Sequence, residues 1–348
     1  DILKEKRGNA MATIREVAAA AGVSIASVSR ILNRDPTYVA TEATKTKVLE
    51  TAKMLGYELP SSRRKHRRTQ GNRIGCIHRL TAERQVDSYY ASILRGVQKY
   101  LEQHDYSLDF IQSQFDIADR QNLEAIFNTP CKGLIIMDTP SDETIEYIHS
   151  KVKHVVGIDT QIENIDNVRY NRFEAGCHAM QYLIDNGHSK IAYIGSKLPR
   201  PNALNFGRFE AYMRMMSLHG FPVYPEWTID CEWERQICFD KTIQLLNAPV
   251  RPTAIFVGSD HMAIACIAAL HQMQLSIPKD ISVIGISDIE ASRYLNPPLT
   301  TIAIPQQEIG EIAAEDLLSR INGNTTVPKQ IFVPTRLVVR ESVRKLNT

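Results

Sequence analysis

From Ile74 onward the chain alternates short apolar runs with helix-length amphipathic stretches, and few architectures accept that order. The runs are Ile74–Ile77, Ser107–Gln112, Gly133–Met137, Val155–Asp159, Lys190–Ile194, Ala254–Gly258, Ser282–Ile286 and Gln330–Val339. Between most of them lie segments such as Tyr90–His104, Phe173–Asn186, Phe206–His219 and Met262–Gln274. A strand, a helix and a second strand of the same direction build a parallel sheet with helices on both faces. Eight runs over 275 residues fit two doubly wound units better than one. Ligands of such sheets sit beyond the carboxyl ends of the strands. Asp159 and Asp288 stand at two such ends.

Ahead of this alternation the chemistry changes. Residues 1–73 carry 15 Lys and Arg against 7 Asp and Glu, whereas the remaining 275 carry 26 against 32, so the formal net charge of +2 conceals a basic piece joined to an acidic body. A basic piece on an acidic globular body calls for an anionic polymer as partner; a solvated basic arm with no partner has the same composition. Asp1–Ala10 precedes Met11 and reads as an unrelated polar tag. Residues 11–57 are a helical unit, 58–73 a basic connector (ELPSSRRKHRRTQGNR) and 74–342 the α/β core.

No run of eighteen apolar residues and no apolar leader is present, so a soluble, cytoplasmic protein is expected. Six cysteines (Cys76, Cys131, Cys177, Cys231, Cys238 and Cys266) are scattered without a C-x-x-C pair. They read as buried, reduced thiols, and neither a metal nor a cofactor is implied.

In the helical unit, Thr13-Ile14-Arg15-Glu16 forms an S/T-x-x-E capping box that starts a helix at Ile14. Ile14, Val17, Ala18 and Ala21 share one face. Gly22 interrupts, Ser24 caps a second helix to Leu32, and a third runs from the cap Thr41 to the stop at Gly56. Two short helices about a Gly-containing turn make a helix-turn-helix, although a generic three-helix bundle has the same pattern. The outward face of the second helix favours the former. Burying Val28, Ile31 and Leu32 leaves Ile25, Ala26, Ser29, Arg30 and Asn33 outside, side chains suited to base edges and phosphates.

MATIREVAAAAGVSIASVSRILN resembles the N-terminal signature of the LacI/GalR family of bacterial transcription regulators, and VGSDHMAIA, DISVIGISD, NPPLTTI and VPTRLVVRES resemble its core landmarks in order. The resemblance covers residues 11–342. It implies a three-helix headpiece, a hinge, and a periplasmic-binding-protein-like core of two doubly wound subdomains. It also implies a homodimer on near-palindromic operator DNA and a sugar effector. Ile25 and Ala26 occupy the positions that most often set operator preference, and Arg30 matches a base or phosphate contact. Thr13, Ser24, Ser27 and Asn33 would position the backbone, with helix packing as the other role open to Ser27. Where the family carries a leucine that wedges into the minor groove, this connector has Lys65 or His66; Arg63, Arg64, Arg67 and Arg68 can instead enter a narrow minor groove or clamp phosphates.

In the core, the resemblance assigns Arg208 and Asp288 to hold the effector and Trp233 to cover it. Asp159 ends a strand, and Tyr89, Tyr90, Tyr170 and Phe206 are candidate walls. Ser259 and Asp260 complete the set, Asp260 being equally suited to cap the helix it begins. The headpiece run RILNRDPTYVATEATKTKVLE and the SSRRK connector look most like regulators of galactoside utilisation, while purines and phosphorylated sugars are other effectors of the family, and corepression is the alternative to induction.

An enzyme on a doubly wound scaffold is the competing class. The sequence has no G-x-G-x-x-G opening a first βα unit, no P-loop and no G-x-S-x-G elbow. An extracytoplasmic sugar-binding protein would have no use for a helix-turn-helix. The connector yields a direct test. Replacing Arg63, Arg64, Arg67 and Arg68 by Ala is expected to weaken binding to every DNA sequence and to flatten the salt dependence, by about 0.9 in log–log slope for each phosphate no longer neutralised. An unchanged slope in a salt titration would place these residues away from the phosphates.

Overall fold

The computed structural model describes residues 12–32, 38, 40–55, 57, 72–80, 87–115, 120–196, 206–324 and 327–346, with backbone alone at 120, 121 and 206. The chain divides into two compact units, residues up to 71 and from 72 onward.

In the first unit, α1 (Ile14–Ala21) starts at Thr13 with both arms of the capping box in place and ends at Gly22, whose left-handed φ of 68° returns its N–H to the Ala18 and Ala19 carbonyls. Helix α2 spans Ile25–Leu32, and α3 spans Glu42–Met54 behind its cap Thr41. Val17, Ala18, Ala21, Val28, Ile31, Val48 and Ala52 form the small core that holds the three together. The expected stop at Gly56 lies outside the described residues; α3 ends with Leu55 as its C-cap.

The second unit contains two six-stranded sheets. The first has the order β11-β5-β4-β3-β1-β2 and the second β12-β10-β9-β8-β6-β7. Strands β1 (Arg73–His78), β2 (Ser107–Ser113), β3 (Gly133–Met137), β4 (Val155–Ile158) and β5 (Asp166–Arg169) belong to the first sheet. Among them run α4 (Ser88–Gln103), α5 (Arg120–Phe127) and α6 (Asp142–Lys151). Helix α7 (Arg172–Asp185) carries the chain to the second sheet, built of β6 (Ile191–Gly195), β7 (Thr228–Asp230), β8 (Ala254–Val257), β9 (Ser282–Ser287) and β10 (Thr300–Ala303). Helices α8 (Phe206–Leu218), α9 (Arg235–Leu246) and α10 (Asp260–Gln272) connect these strands. Helix α11 (Gln306–Ile321) returns to the first sheet for β11 (Gln330–Phe332), and β12 (Arg336–Val338) lies in the second, antiparallel to β10. The chain therefore passes between the sheets three times.

Four expectations need correction. The run Gln330–Val339 is two strands in different sheets, because Pro334 lies between them and offers no N–H to a ladder. Strands β5, β7 and β10 went unrecognised; they are three or four residues long, and Asp166-Asn167-Val168-Arg169 lacks apolar alternation. Arg73, placed in the connector, begins β1 and pairs with Asp109 of β2. Of the six free thiols, Cys131 and Cys177 are half-buried and only the other four are buried.

Two features lock the crossovers. A Cβ on Gly96 of α4 would overlap the Gln307 carbonyl oxygen, and one on Gly310 of α11 would overlap that of Ile93, so reciprocal glycines let α4 and α11 touch backbone to backbone. Asp166, nearly free of solvent, accepts from Arg320 Nε and Nη2 at 2.5 and 2.6 Å and from the Lys329 N–H at 2.6 Å. One carboxylate thus joins β5, the end of α11 and the entry to β11.

Asp260, at the first position of α10, is wholly buried and accepts from Ser292 Oγ (2.6 Å), Thr301 Oγ1 (2.6 Å) and the Ile289 N–H (3.3 Å). Burial raises its pKa to about 6 against these hydrogen bonds, with the nearby Asp288 charge adding to the rise. A carboxyl whose folded pKa lies above its unfolded value near 3.8 favours the protonated fold. Its contribution is complete below pH 3.8 and is lost as pH rises through 6, a swing of about 3 kcal/mol. The melting-temperature advantage of the wild type over Asp260→Asn should therefore shrink between pH 4 and pH 7. A constant difference across that range would show that Asp260 titrates normally.

Candidate functional site

The first unit presents the outer face of α2. Ser24 precedes the helix with its Oγ accepting the Ser27 N–H at 3.0 Å, which leaves Ile25 (46 % exposed), Ala26 and Arg30 on the surface. Ser27 and Ser29 are half-buried. Ser27 Oγ bonds Ser24 Oγ at 2.9 Å and accepts from the Tyr38 hydroxyl at 2.7 Å. Thr13 is exposed and occupied as the cap of α1. Asn33, Arg63, Arg64, Arg67 and Arg68 lie outside the described residues.

The second unit holds a cleft lined from both sheets, about 520 Å³ with the space open to solvent included. From the first sheet's side come Asp87, Tyr89 and Tyr90 at the start of α4 and Asp159 just past β4; Arg172 opens the crossover helix α7. From the second come Arg208 of α8, Trp233 past β7, Ser259, His261 and Met262 at the β8–α10 junction, and Ser287 at the end of β9. Carboxyl ends of strands and amino ends of helices thus converge on one space.

The local backbone aims these side chains. Asp159, Trp233, Ser287 and Asp288 all have positive φ (57°, 62°, 135° and 53°), a conformation that costs non-glycine residues about 1–3 kcal/mol and gathers at binding sites. Asp159 Oδ2 accepts from Arg172 Nη2 at 2.9 Å and from the Tyr89 hydroxyl at 3.1 Å. Burial alone would lower the Arg172 pKa, but the adjacent Asp159 charge holds it above the usual arginine range. Burial, reinforced by the same carboxylate, keeps Tyr89 well above an ordinary phenol. Arg208, 6 % exposed, donates through Nη2 to the Tyr170 hydroxyl and lies 5.7 Å from the Tyr170 ring and 5.4 Å from that of Trp233. Gly176 of α7 makes room for α8, since a Cβ there would press on Ala211 Cβ at 2.7 Å and on the Arg208 Cα at 3.3 Å. Asp159 Oδ1, Arg172 Nε, Arg208 Nε and His261 Nε2 are buried without a hydrogen-bond partner among the described residues. Four unsatisfied polar atoms around one cavity mark a place where a polar ligand restores what burial removed.

Of the residues singled out from sequence, Asp159, Arg208, Trp233, Tyr89, Tyr90 and Ser259 line this cavity. Tyr170 is buried beneath the two guanidinium groups and supports them. Phe206 opens α8, and its side chain lies outside the described residues. Asp288 is not in the wall: its Oδ1 takes Arg340 Nη2 at 2.6 Å, and it is Ser287 that faces the space. Asp260 neither lines the cavity nor caps α10; Ser259 is the cap, accepting the Met262 N–H at 3.3 Å. Sequence reasoning missed Asp87, Arg172, His261 and Met262. Arg172 had a signal, namely its place three residues past a strand too polar to be recognised.

Among the described residues no group of His, Cys, Asp and Glu could hold a metal ion, and no helix is long and apolar enough to cross a membrane.

Comparison with known proteins agrees with this geometry at both ends of the chain. Residues 13–59 match the family of bacterial regulatory proteins of the lacI type, and residues 180–343 match a periplasmic binding protein-like domain. The chain is 32 % identical over 337 residues to the ribose operon repressor of Escherichia coli (strain K12), covering 95 % of this chain and 100 % of that protein. It is 33 % identical over 343 residues to the HTH-type transcriptional repressor PurR of Actinobacillus pleuropneumoniae serotype 3 (strain JL03), covering 97 % and 100 %. The solved structure of the transcriptional regulator CelR in complex with cellobiose shares the fold with a TM-score of 0.70 at 24 % identity, over 95 % of this chain and 99 % of that one. Since the identity to repressors runs through headpiece and core alike, this chain belongs to the LacI family of bacterial regulatory proteins.

Proposed function

We propose that this protein is a transcriptional repressor that binds operator DNA as a homodimer through α2 and releases it when a sugar enters the cavity of the second unit. The observation that carries this reading is the cavity itself, whose unsatisfied donors and acceptor come from both sheets. A ligand that bridges two subdomains favours one of their relative orientations, and only differential affinity for the two can shift the equilibrium. By linkage, a sugar that weakens operator binding binds less tightly to the operator complex. In this scheme Asp159 accepts from a hydroxyl, Arg208 and Arg172 donate, and Trp233 and Tyr90 form the apolar walls against which a pyranose stacks. Ser24, Ile25, Ala26, Ser29 and Arg30 meet the major groove, Ile25 and Ala26 by contact with thymine methyls. Asp288 acts through Arg340 rather than on the sugar.

Within this reading the working site is the cytoplasm, beside the chromosome, and no catalytic role is assigned to any residue. The preference for galactosides expected from the headpiece has no support among the relatives, one of which is named for a ribose operon and another of which is bound to cellobiose. The reading accordingly takes the effector to be a sugar and assigns it no stereochemistry.

Thermal-shift measurements against a panel containing ribose, cellobiose, galactose, lactose and a phosphorylated hexose should show stabilisation by at least one member. That sugar should release an operator duplex selected by the wild-type protein from random sequence. Asp159→Asn should then bind the sugar at least about tenfold more weakly, a loss of about 1.4 kcal/mol, while holding the operator within about twofold. A protein stabilised by no member of the panel, or an Asp159→Asn variant that responds at wild-type sugar concentrations, would contradict the assignment. Tighter operator binding on adding sugar would make the effector a corepressor.

A further inference from the structure

Between α2 and α3 in the sequence, Tyr38 places its aromatic side chain against the DNA-reading helix. Tyr38 reaches back eleven residues so that its hydroxyl donates to Ser27 Oγ at 2.7 Å, while its ring lies 5.6 Å from the Arg30 guanidinium carbon. Ser27 and Arg30 are three positions apart on α2, hence neighbours on one face. Both were assigned to DNA. The rest of the ring rests on the headpiece core.

We propose that Tyr38 is a positioning residue of the DNA-reading helix, setting the hydroxyls of Ser24 and Ser27 through its phenol and the guanidinium of Arg30 through its ring. This rests on the DNA-binding reading above. The hydroxyl argument is one of proton supply. A serine has one proton and two lone pairs. Half-buried Ser27 accepts the phenol proton and turns its own towards Ser24 Oγ, 2.9 Å away. Ser24 Oγ already accepts the Ser27 N–H at 3.0 Å, so its own proton is the one left for solvent or a phosphate oxygen. Ser24 is the exposed member of the pair. Without the phenol, Ser27 can rotate and the direction of the relay is lost. For Arg30, an aromatic face restricts a long side chain and fixes the plane of its guanidinium. A base contact that depends on bidentate geometry gains from such restraint; a loose phosphate contact does not.

Fluorescence anisotropy at fixed salt, with an operator duplex selected by the wild-type protein and a random-sequence duplex of equal length, tests both parts. Tyr38→Phe removes only the hydroxyl and should weaken both duplexes about threefold to tenfold. In a Ser27→Ala background the same change should have no further effect. Tyr38→Leu also removes the ring and should lower the operator-to-random ratio by a further factor of about five to ten, an effect absent in an Arg30→Ala background. Two results overturn the proposal. One is wild-type binding of both duplexes by both variants. The other is losses that persist in full in the Ser27→Ala and Arg30→Ala backgrounds, which would make Tyr38 a packing residue. Should Tyr38→Leu fail to fold by circular dichroism, the Tyr38→Phe and Ser27→Ala cycle alone decides. A wild-type protein that binds neither duplex would instead refute the DNA-binding reading from which the proposal starts.

Discussion

A carboxylate taken out of water must find its proton or its partners inside the protein, and three aspartates of the α/β unit meet that demand in three ways. Asp166 keeps its charge, because two Arg320 donors and a backbone N–H replace the lost water and hold its pKa low against burial. Asp260 has hydrogen bonds but no cation, and its pKa rises towards neutrality. Asp159 has Arg172 and Tyr89 on one oxygen and, among the described residues, nothing on the other. The first binds the crossovers together, the second ties β10 and the segment after β9 to the start of α10, and the third is left incomplete where the cavity opens. Buried ion pairs contribute little net stability, but removing one partner is severe. The networks of Asp166 and Asp260 thus lie in the frame, and the half-satisfied Asp159 lies at the cavity.

The cavity depends on that frame more than on any side chain within it. Arg172 reaches Asp159 because α7 begins immediately after the edge region of the first sheet, and Arg208 faces the same space because α8 lies close against α7 at Gly176. Positive φ at Asp159, Trp233 and Ser287 turns each strand end sharply enough to present a side chain rather than continue the ladder. Such strain persists only where the surrounding structure over-determines it.

Much of this was legible from the residues. Long, strongly periodic elements were placed within a few positions, as were the capping box at Thr13, the turn at Gly22 and the cap Thr41. The strands that escaped, β5, β7 and β10, are short and carry Asp, Asn or Thr where the equally short β4 and β8 are apolar, and β11 and β12 looked like one because apolar content does not reveal which sheet a residue joins. Six of the ten effector residues singled out line the cavity. Asp288 and Asp260 do not, since a strand-end carboxylate can turn either towards the crevice or towards a cation behind it, and Arg340 lies 52 residues further along the chain. A pairing at that separation leaves no local trace. The same holds for Tyr38, whose phenol meets Ser27 from eleven residues away.

The passage from β11 to β12 has only residues 333–335 in it. Three residues span at most about 10 Å when fully extended, and Pro334 stiffens even that. This tether sets a mechanical limit. The two sheets cannot separate by translation without tearing β11 from β5 or β12 from β10, so the freedom left to them is rotation about the tether. Any message that leaves this cavity is therefore written as an angle, and its amplitude grows with distance from the strap.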